Sequence, residues 1–152
     1  AIIQKDVKRG ELVWISLGVE QSKDLNTLQA HILFPAEPLD LIREKVKISE
    51  GWKGGRYFLR LIRDGEFNLI LQVDENTIDV TGDKTLCLLP FKIADNAQPG
   101  TYKIEFNLDK SFALKRPQNS QPGDEIEAIW RGTELGVVTE FDRMVVYLRV
   151  IE

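Results

Sequence analysis

Three tryptophans, one histidine, one cysteine and two knots of carboxylates are the residues of this chain with chemistry to offer. Nucleophilic catalysis by Cys87 would need an imidazole base, and the single histidine, His31, lies in a different apolar run. Set between Leu86 and Leu88, Cys87 reads as a small core side chain, and alone it makes no intrachain disulfide. One His and one Cys also leave no zinc-ligand spacing and no recognisable Ser-His-Asp set. The stretch Gly51 to Gly55, GWKGG, lacks the spacing and the Lys-Ser/Thr of a phosphate loop and reads as a plain loop. Asp74, Glu75, Asn76, Asp79 and Asp83 could offer oxygens to calcium, but they lack the Asp-x-Asp-x-Asp-Gly spacing, so a solvated acidic loop explains them. Asp124, Glu125 and Glu127 read the same way. Trp14, Trp52 and Trp130 could stack on sugar rings, although nothing in their spacing puts them on one plane. His31 falls on the polar row of its run beside Gln29, as a surface imidazole, as a contact residue on a binding face, or as a ligand or base. No catalytic constellation is present, so an enzyme is not expected, and neither a metal nor a cofactor is called for.

The elements that must carry these residues are β-strands. The chain has 152 residues, 43% of them hydrophobic, which suits one domain spanning residues 1–152 with a continuous core. The net charge is −4, with Lys and Arg scattered among Asp and Glu, a pattern that argues against a nucleic-acid partner. No apolar run approaches the roughly 20 residues of a membrane span. The sequence starts at Ala1 without an initiator Met or a signal peptide, as a mature product or a module excised from a larger secreted protein would.

Apolar residues alternate with period two and are interrupted by turn residues, as in an antiparallel sandwich. Val13, Ile15, Leu17 and Val19 form one such row, and Leu28, Ala30, Ile32 and Phe34 a second. Cys87, Leu89, Phe91 and Ile93 form a third, and Tyr102, Ile104, Phe106 and Leu108 a fourth. Arg56 to Arg63 and Glu66 to Val73 flank Asp64-Gly65, a pair suited to a two-residue hairpin turn. That turn sets Arg63 opposite Glu66, Ile62 opposite Phe67, Leu61 opposite Asn68 and Leu59 opposite Ile70, while a slip of one residue would exchange the two faces. Both faces of the hairpin carry large apolar groups, so one is core and the other is a covered surface or an apolar patch. Leu39 to Val46 could form a turn or two of helix after Pro38, and Pro90 inside a strand suggests an edge or a bulge. Lys115 to Asp124 is the longest clear loop, Ile126 to Val138 could add a short hairpin, and Met144 to Ile151 is the last strand.

The order of these pieces resembles a cohesin domain, the receptor module for dockerins. Val7-Lys8-Arg9-Gly10-Glu11 followed by Val13-Trp14-Ile15 looks like the family's opening turn and core strand. Leu25 to Phe34, then Pro35 and Leu39-Asp40-Leu41, looks like the third strand and its exit, with Phe34 in place of the usual Tyr and Pro35-Ala36 in place of Asp-Pro. Leu86 to Ile93 is similar to the family's Leu-Ala-x-Ile-x-Phe-x-Ile strand, with Cys87 at the small position, and Pro99-Gly100-Thr101 leads into the eighth strand. The likeness runs from Ala1 to about Leu108 and resumes at the final strand, whereas Lys110 to Val138 is longer than the usual link.

That resemblance implies an all-β, two-sheet sandwich of jelly-roll topology with about nine strands. It implies a non-catalytic module that recognises a dockerin-like partner on one sheet face, with any calcium on the partner, in extracellular or cell-surface assemblies of the cellulosome kind. The docking face would be the third strand's Thr27, Gln29, His31 and Leu33, with Asn68, Ile70 and Gln72 of the sixth. Tyr57, Leu59 and Leu61 would join them through the hairpin, and Lys103 and Glu105 from the eighth strand. An apolar sheet face also makes weak self-association reasonable. A carbohydrate-binding module of the same architecture and an Ig-like adhesion or spacer domain are the alternatives.

Overall fold

The structure is a computed structural model that describes residues 3–48, 55–73, 78–80, 84–107, 110–115, 128–134 and 145–152. Among these residues twelve strands follow one another: β1 (Ile3–Val7), β2 (Leu12–Leu33), β3 (Leu39–Leu41), β4 (Lys47–Ile48), β5 (Gly55–Arg63) and β6 (Glu66–Val73), then β7 (Ile78–Val80), β8 (Lys84–Ile93), β9 (Gly100–Phe106), β10 (Phe112–Lys115), β11 (Ala128–Glu134) and β12 (Val145–Val150). No helix among the described residues is long and apolar enough to cross a membrane.

The architecture is a two-layered β-sandwich, and β2 joins its layers. The first part of β2, from Leu12 to Val19, pairs with β8, whose other side receives β3 and β4, and β11 also lies along β2. The last part, Thr27 to Leu33, pairs with β6, which pairs with β5; on its other side it meets β9 and β10. β9 continues to β12, and β12 to β1 in a parallel pairing. The buried row of β2 changes phase from Val13, Ile15 and Leu17 to Leu28, Ala30 and Ile32. Between them the pairing with β7 is irregular from Ser22 to Leu25, and an irregularity of this kind lets one strand keep its apolar row inward in both layers.

The core forms as the alternation requires. Cys87, Leu89, Phe91 and Ile93 are fully buried, as are Leu69, Ile104, Val146 and Leu148. Phe34, just past β2, meets Phe67 edge-on at 6.0 Å and Phe91 at 5.1 Å, so one ring ties the two layers together. Tyr102 is half-buried, and its hydroxyl donates to Gln98 O at 2.6 Å.

Three expectations change. Pro90 lies within β8, paired with Trp14 and buried, not at an edge. Its carbonyl accepts from Ile42 N–H at 2.9 Å, so its nitrogen faces the gap between β3 and β4, where no donor is needed. Leu39 to Val46 holds β3 and a 3₁₀ turn at Arg43–Lys45 in place of an α-helical turn or two.

The third change is the hairpin register. Arg63 does pair with Glu66, but the ladder then shifts between Leu61 and Arg63, so Ile62 is the extra residue of a bulge. Leu61 therefore faces Phe67 instead of Asn68, Leu59 faces Leu69 instead of Ile70, and Phe58 faces Ile70. Burial explains the shift. Phe67, Leu69 and Leu71 form one unbroken apolar row, and only the bulged register sets Tyr57, Leu59 and Leu61 beside it while turning Arg56 and Arg60 away.

Candidate functional site

The sheet built from β5, β6, the last part of β2 and β9 has an outward row on each strand. Thr27, Gln29, His31 and Leu33 lie on the outward row of β2, Asn68, Ile70 and Gln72 on that of β6, and Lys103 and Glu105 on that of β9. Tyr57 and Leu59 belong to the inner row and pack against the core. Leu61 shares that row by register but is 53% exposed beside the bulge. In their place β5 presents Arg56, Phe58 and Arg60 outward. Phe58, at 49% exposure, Leu61 and Ile62 are the exposed large apolar side chains among the described residues, and all three are on β5. The guanidinium of Arg56 lies 5.7 Å from the Phe58 ring centroid. On the other side of β5, Arg43 Nη2 donates to Leu59 O at 3.2 Å.

The β2–β9 half of this face is closed over at His31. β9 leaves β2 at the Phe106–Ile32 pair and β10 joins it at Phe112–Gln29. Ser111 completes the broken ladder. Its hydroxyl accepts from His31 N–H at 2.9 Å and donates to Asn107 O at 2.6 Å, while Asn107 N–H donates to His31 O. Gln29 Nε2 donates to Lys110 O at 3.1 Å.

His31 is consequently only 1% exposed, so neither the surface imidazole nor the contact residue expected of it is found. Its Nε2 lies 2.6 Å from Glu66 Oε2, Arg63 Nε donates to Glu66 Oε1, and Lys110 Nζ stands 3.9 Å from the same carboxylate. The Arg63 hydrogen bond, helped by His31, holds the Glu66 carboxyl below its ordinary value against the opposing effect of burial. An ionised Glu66 accepts, so His31 Nε2 carries the proton; His31 Nδ1 and Asn68 Oδ1, on directly opposed residues, are buried without a partner among the described residues. Ser111 is no nucleophile for this imidazole, because its hydroxyl proton goes to a main-chain carbonyl and the ring bonds Glu66 instead.

The depressed Glu66 carboxyl makes stability depend on acid. Its contribution is fully present above the ordinary value of 4.5 and is lost as pH falls through the lower folded value. Glu66→Gln is expected to melt well below the parent at neutral pH, with the gap narrowing as pH drops beneath 4.5. Melting temperatures across pH check this, and a gap that stays constant down to about pH 3 would remove Glu66 from the acid response.

At the turn end of the face, a hollow of about 530 Å³ is lined by Leu33, Phe34 and Pro35 together with Arg63, Lys103 and Glu105. Lys103 Nζ bonds Glu105 Oε1 at 2.9 Å, and that hydrogen bond raises the lysine above its usual range. Burial pushes the Cys87 thiol up to about 12, which leaves it unreactive as the core reading expects. Trp14 is half-buried under Lys47 Nζ, 4.6 Å from the ring centroid. Trp52, Asp74, Glu75, Asn76, Asp83, the 124–127 carboxylates and most of the GWKGG loop lie outside the described residues. Among the described residues no group of His, Cys, Asp and Glu is arranged to hold a metal ion.

Arg56, Phe58, Arg60 and Ile62 are the surface residues that sequence reasoning missed. The alternation of Arg56, Phe58 and Arg60 with Tyr57, Leu59 and Leu61 was the available signal, since two arginines on one row argue that this row meets water.

No protein-family model matches the sequence, and no curated protein matches it. Solved structures do match in fold. A non-cellulosomal cohesin from the hyperthermophilic archaeon Archaeoglobus fulgidus covers 100% of this chain and 88% of its own at a TM-score of 0.66 and 12% identity. The third cohesin of ScaC from Acetivibrio cellulolyticus, solved in complex with the ScaB dockerin, covers 99% and 96% at a TM-score of 0.64 and 16% identity. A type I cohesin–dockerin complex from Clostridium thermocellum covers 99% and 96% at a TM-score of 0.63 and 12% identity. The chain has the jelly-roll sandwich fold of the cohesins.

Proposed function

We propose that this chain is a non-catalytic recognition module which binds a dockerin-like helical partner on the outward face of β5 and β6, within an extracellular or cell-surface assembly. Phe58 carries the reading. It is a large apolar side chain held in water, opposite the half-buried Ile70, and ringed by Arg56, Arg60, Asn68 and Gln72. An apolar anchor within a polar rim is the anatomy of a protein-binding surface. Two of the structural neighbours were solved with a dockerin bound, which supports this kind of partner. The 152 residues act as one module in this reading. Any calcium sits on the partner.

Phe58→Asp is expected to abolish binding, a loss of 2 kcal/mol or more at roughly hot-spot strength, while leaving the melting temperature close to the parent's. Binding is measured by calorimetry against dockerin modules in calcium, with a chelator control. A Phe58→Asp variant that binds as the parent does removes this face from the interaction.

A further inference from the structure

Two buried side-chain atoms of this sheet have no partner among the described residues, and they belong to neighbours. His31 Nδ1 on β2 and Asn68 Oδ1 on β6 lie on directly opposed residues of the outward rows. Opposed side chains of paired strands stand about 5 Å apart at Cβ, so the two groups are within reach of each other. His31 keeps its proton on Nε2, against Glu66, so Nδ1 is a bare acceptor beside a second acceptor. A buried acceptor without a donor is costly, and here one donor relieves both atoms.

Two arrangements supply that donor. A second proton on the ring lets Nδ1 donate to Asn68 Oδ1 and leaves the Asn68 amide nitrogen at the surface. Half a turn of the Asn68 amide instead lets its nitrogen donate to a bare Nδ1 and brings the oxygen outward. Asn68 is half-buried and belongs to the polar rim around Phe58, so either end of the amide that turns outward meets the partner. We infer that His31 is a positioning residue worked by a proton: charged, it turns the Asn68 N–H groups toward the partner, and neutral, it turns the Asn68 oxygen there. This rests on the docking face proposed above and adds that the partner sets a hydrogen-bond acceptor over Asn68, because the oxygen is the end that the structure buries. Such a partner favours the charged ring and takes up a proton as it docks.

The charged groups around the ring among the described residues are Glu66, with Arg63 and Lys110 on the same carboxylate. Arg60 stands opposite Asn68 on β5, and Lys103 and Glu105 of β9 bond one another beside Leu33. Carboxylates, lysines and arginines ordinarily hold their charge between about pH 5 and 8, the range in which histidine changes its own.

The test begins with the full chain alone. Nitrogen-15 NMR from about pH 5 to 8 follows the Asn68 side-chain amide and the ring of His31, which is the single histidine of the chain. Both are expected to change with one midpoint, Nδ1 carrying a proton on the acid side only. A ring that keeps one protonation state throughout, or an Asn68 amide that does not follow it, would overturn the inference. Binding of dockerin modules in calcium is then measured over the same range. Affinity is expected to rise about tenfold toward acid, and Asn68→Ala to lose that dependence while still responding to Phe58→Asp. A pH dependence that survives Asn68→Ala would overturn the role given to Asn68. If no module binds at any pH, the proposed function falls and the acceptor over Asn68 falls with it, whereas the shared NMR midpoint alone decides whether His31 turns Asn68.

Discussion

Gly65→Ala is expected to destabilise the chain more than any other single-methyl change in the hairpin. The residue sits at φ +80°, a region that L side chains rarely adopt, and an added Cβ would stand 2.2 Å from the Phe34 carbonyl oxygen. The backbone conformation alone costs about 1–3 kcal/mol for a non-glycine residue, and forcing a methyl into packed main chain costs about as much again. The neighbour cannot step aside cheaply. Phe34 N–H donates to Gly65 O at 2.8 Å, and the Phe34 ring is the one wedged between Phe67 and Phe91. Movement of that carbonyl therefore reaches both layers. Urea unfolding of Gly65→Ala beside Asp64→Ala, whose side chain is exposed on the same turn, measures the effect. A Gly65→Ala midpoint indistinguishable from the parent's would mean that the turn does not hold the end of β2.

The second large effect separates two neighbours on β6. Leu69→Asp is expected to unfold the chain, whereas Ile70→Asp should leave it folded and unable to bind. Leu69 is 0% exposed, between Ala30 of β2 and Leu59 of β5. Losing its burial costs about 1.5–3 kcal/mol, and a carboxyl set in its place finds no partner, adding several kcal/mol more. Against a typical stability of about 5–15 kcal/mol, that is enough to empty the native state. Ile70 points the other way and is half-buried on the outer face. Near-ultraviolet circular dichroism reports the packing of each variant. Native signal from Leu69→Asp would show that the inner and outer rows of the hairpin have been exchanged.

The same hairpin shows what sequence can and cannot carry. The sandwich, the rows from Val13 to Leu17, Leu28 to Ile32 and Cys87 to Ile93, and the two-residue turn at Asp64-Gly65 all follow from alternation and turn chemistry, which are local properties. The orientation of β5 does not. A turn counts register outward from its own residues, and that count set Leu59 on Ile70, while burial of the Phe67–Leu71 row outweighed it by extruding Ile62. Local geometry and global packing disagreed, and the disagreement fell on the strand that forms the candidate surface. His31 departs from expectation for a related reason. Its position on the outward row was correct, but the residues that bury it arrive some eighty positions later, at Asn107 and Ser111. Pro90 likewise needed the β3–β4 gap to become acceptable inside a sheet.

Among the described residues β5 ends its sheet, and a terminal strand with greasy residues in water is ordinarily where one molecule seeds the polymerisation of the next. Here the rung that a newcomer would grip halfway along is already taken, because the Arg43 guanidinium occupies the Leu59 oxygen. Lateral growth is hindered at that rung. A visitor that settles onto the pleat from above leaves that rung undisturbed.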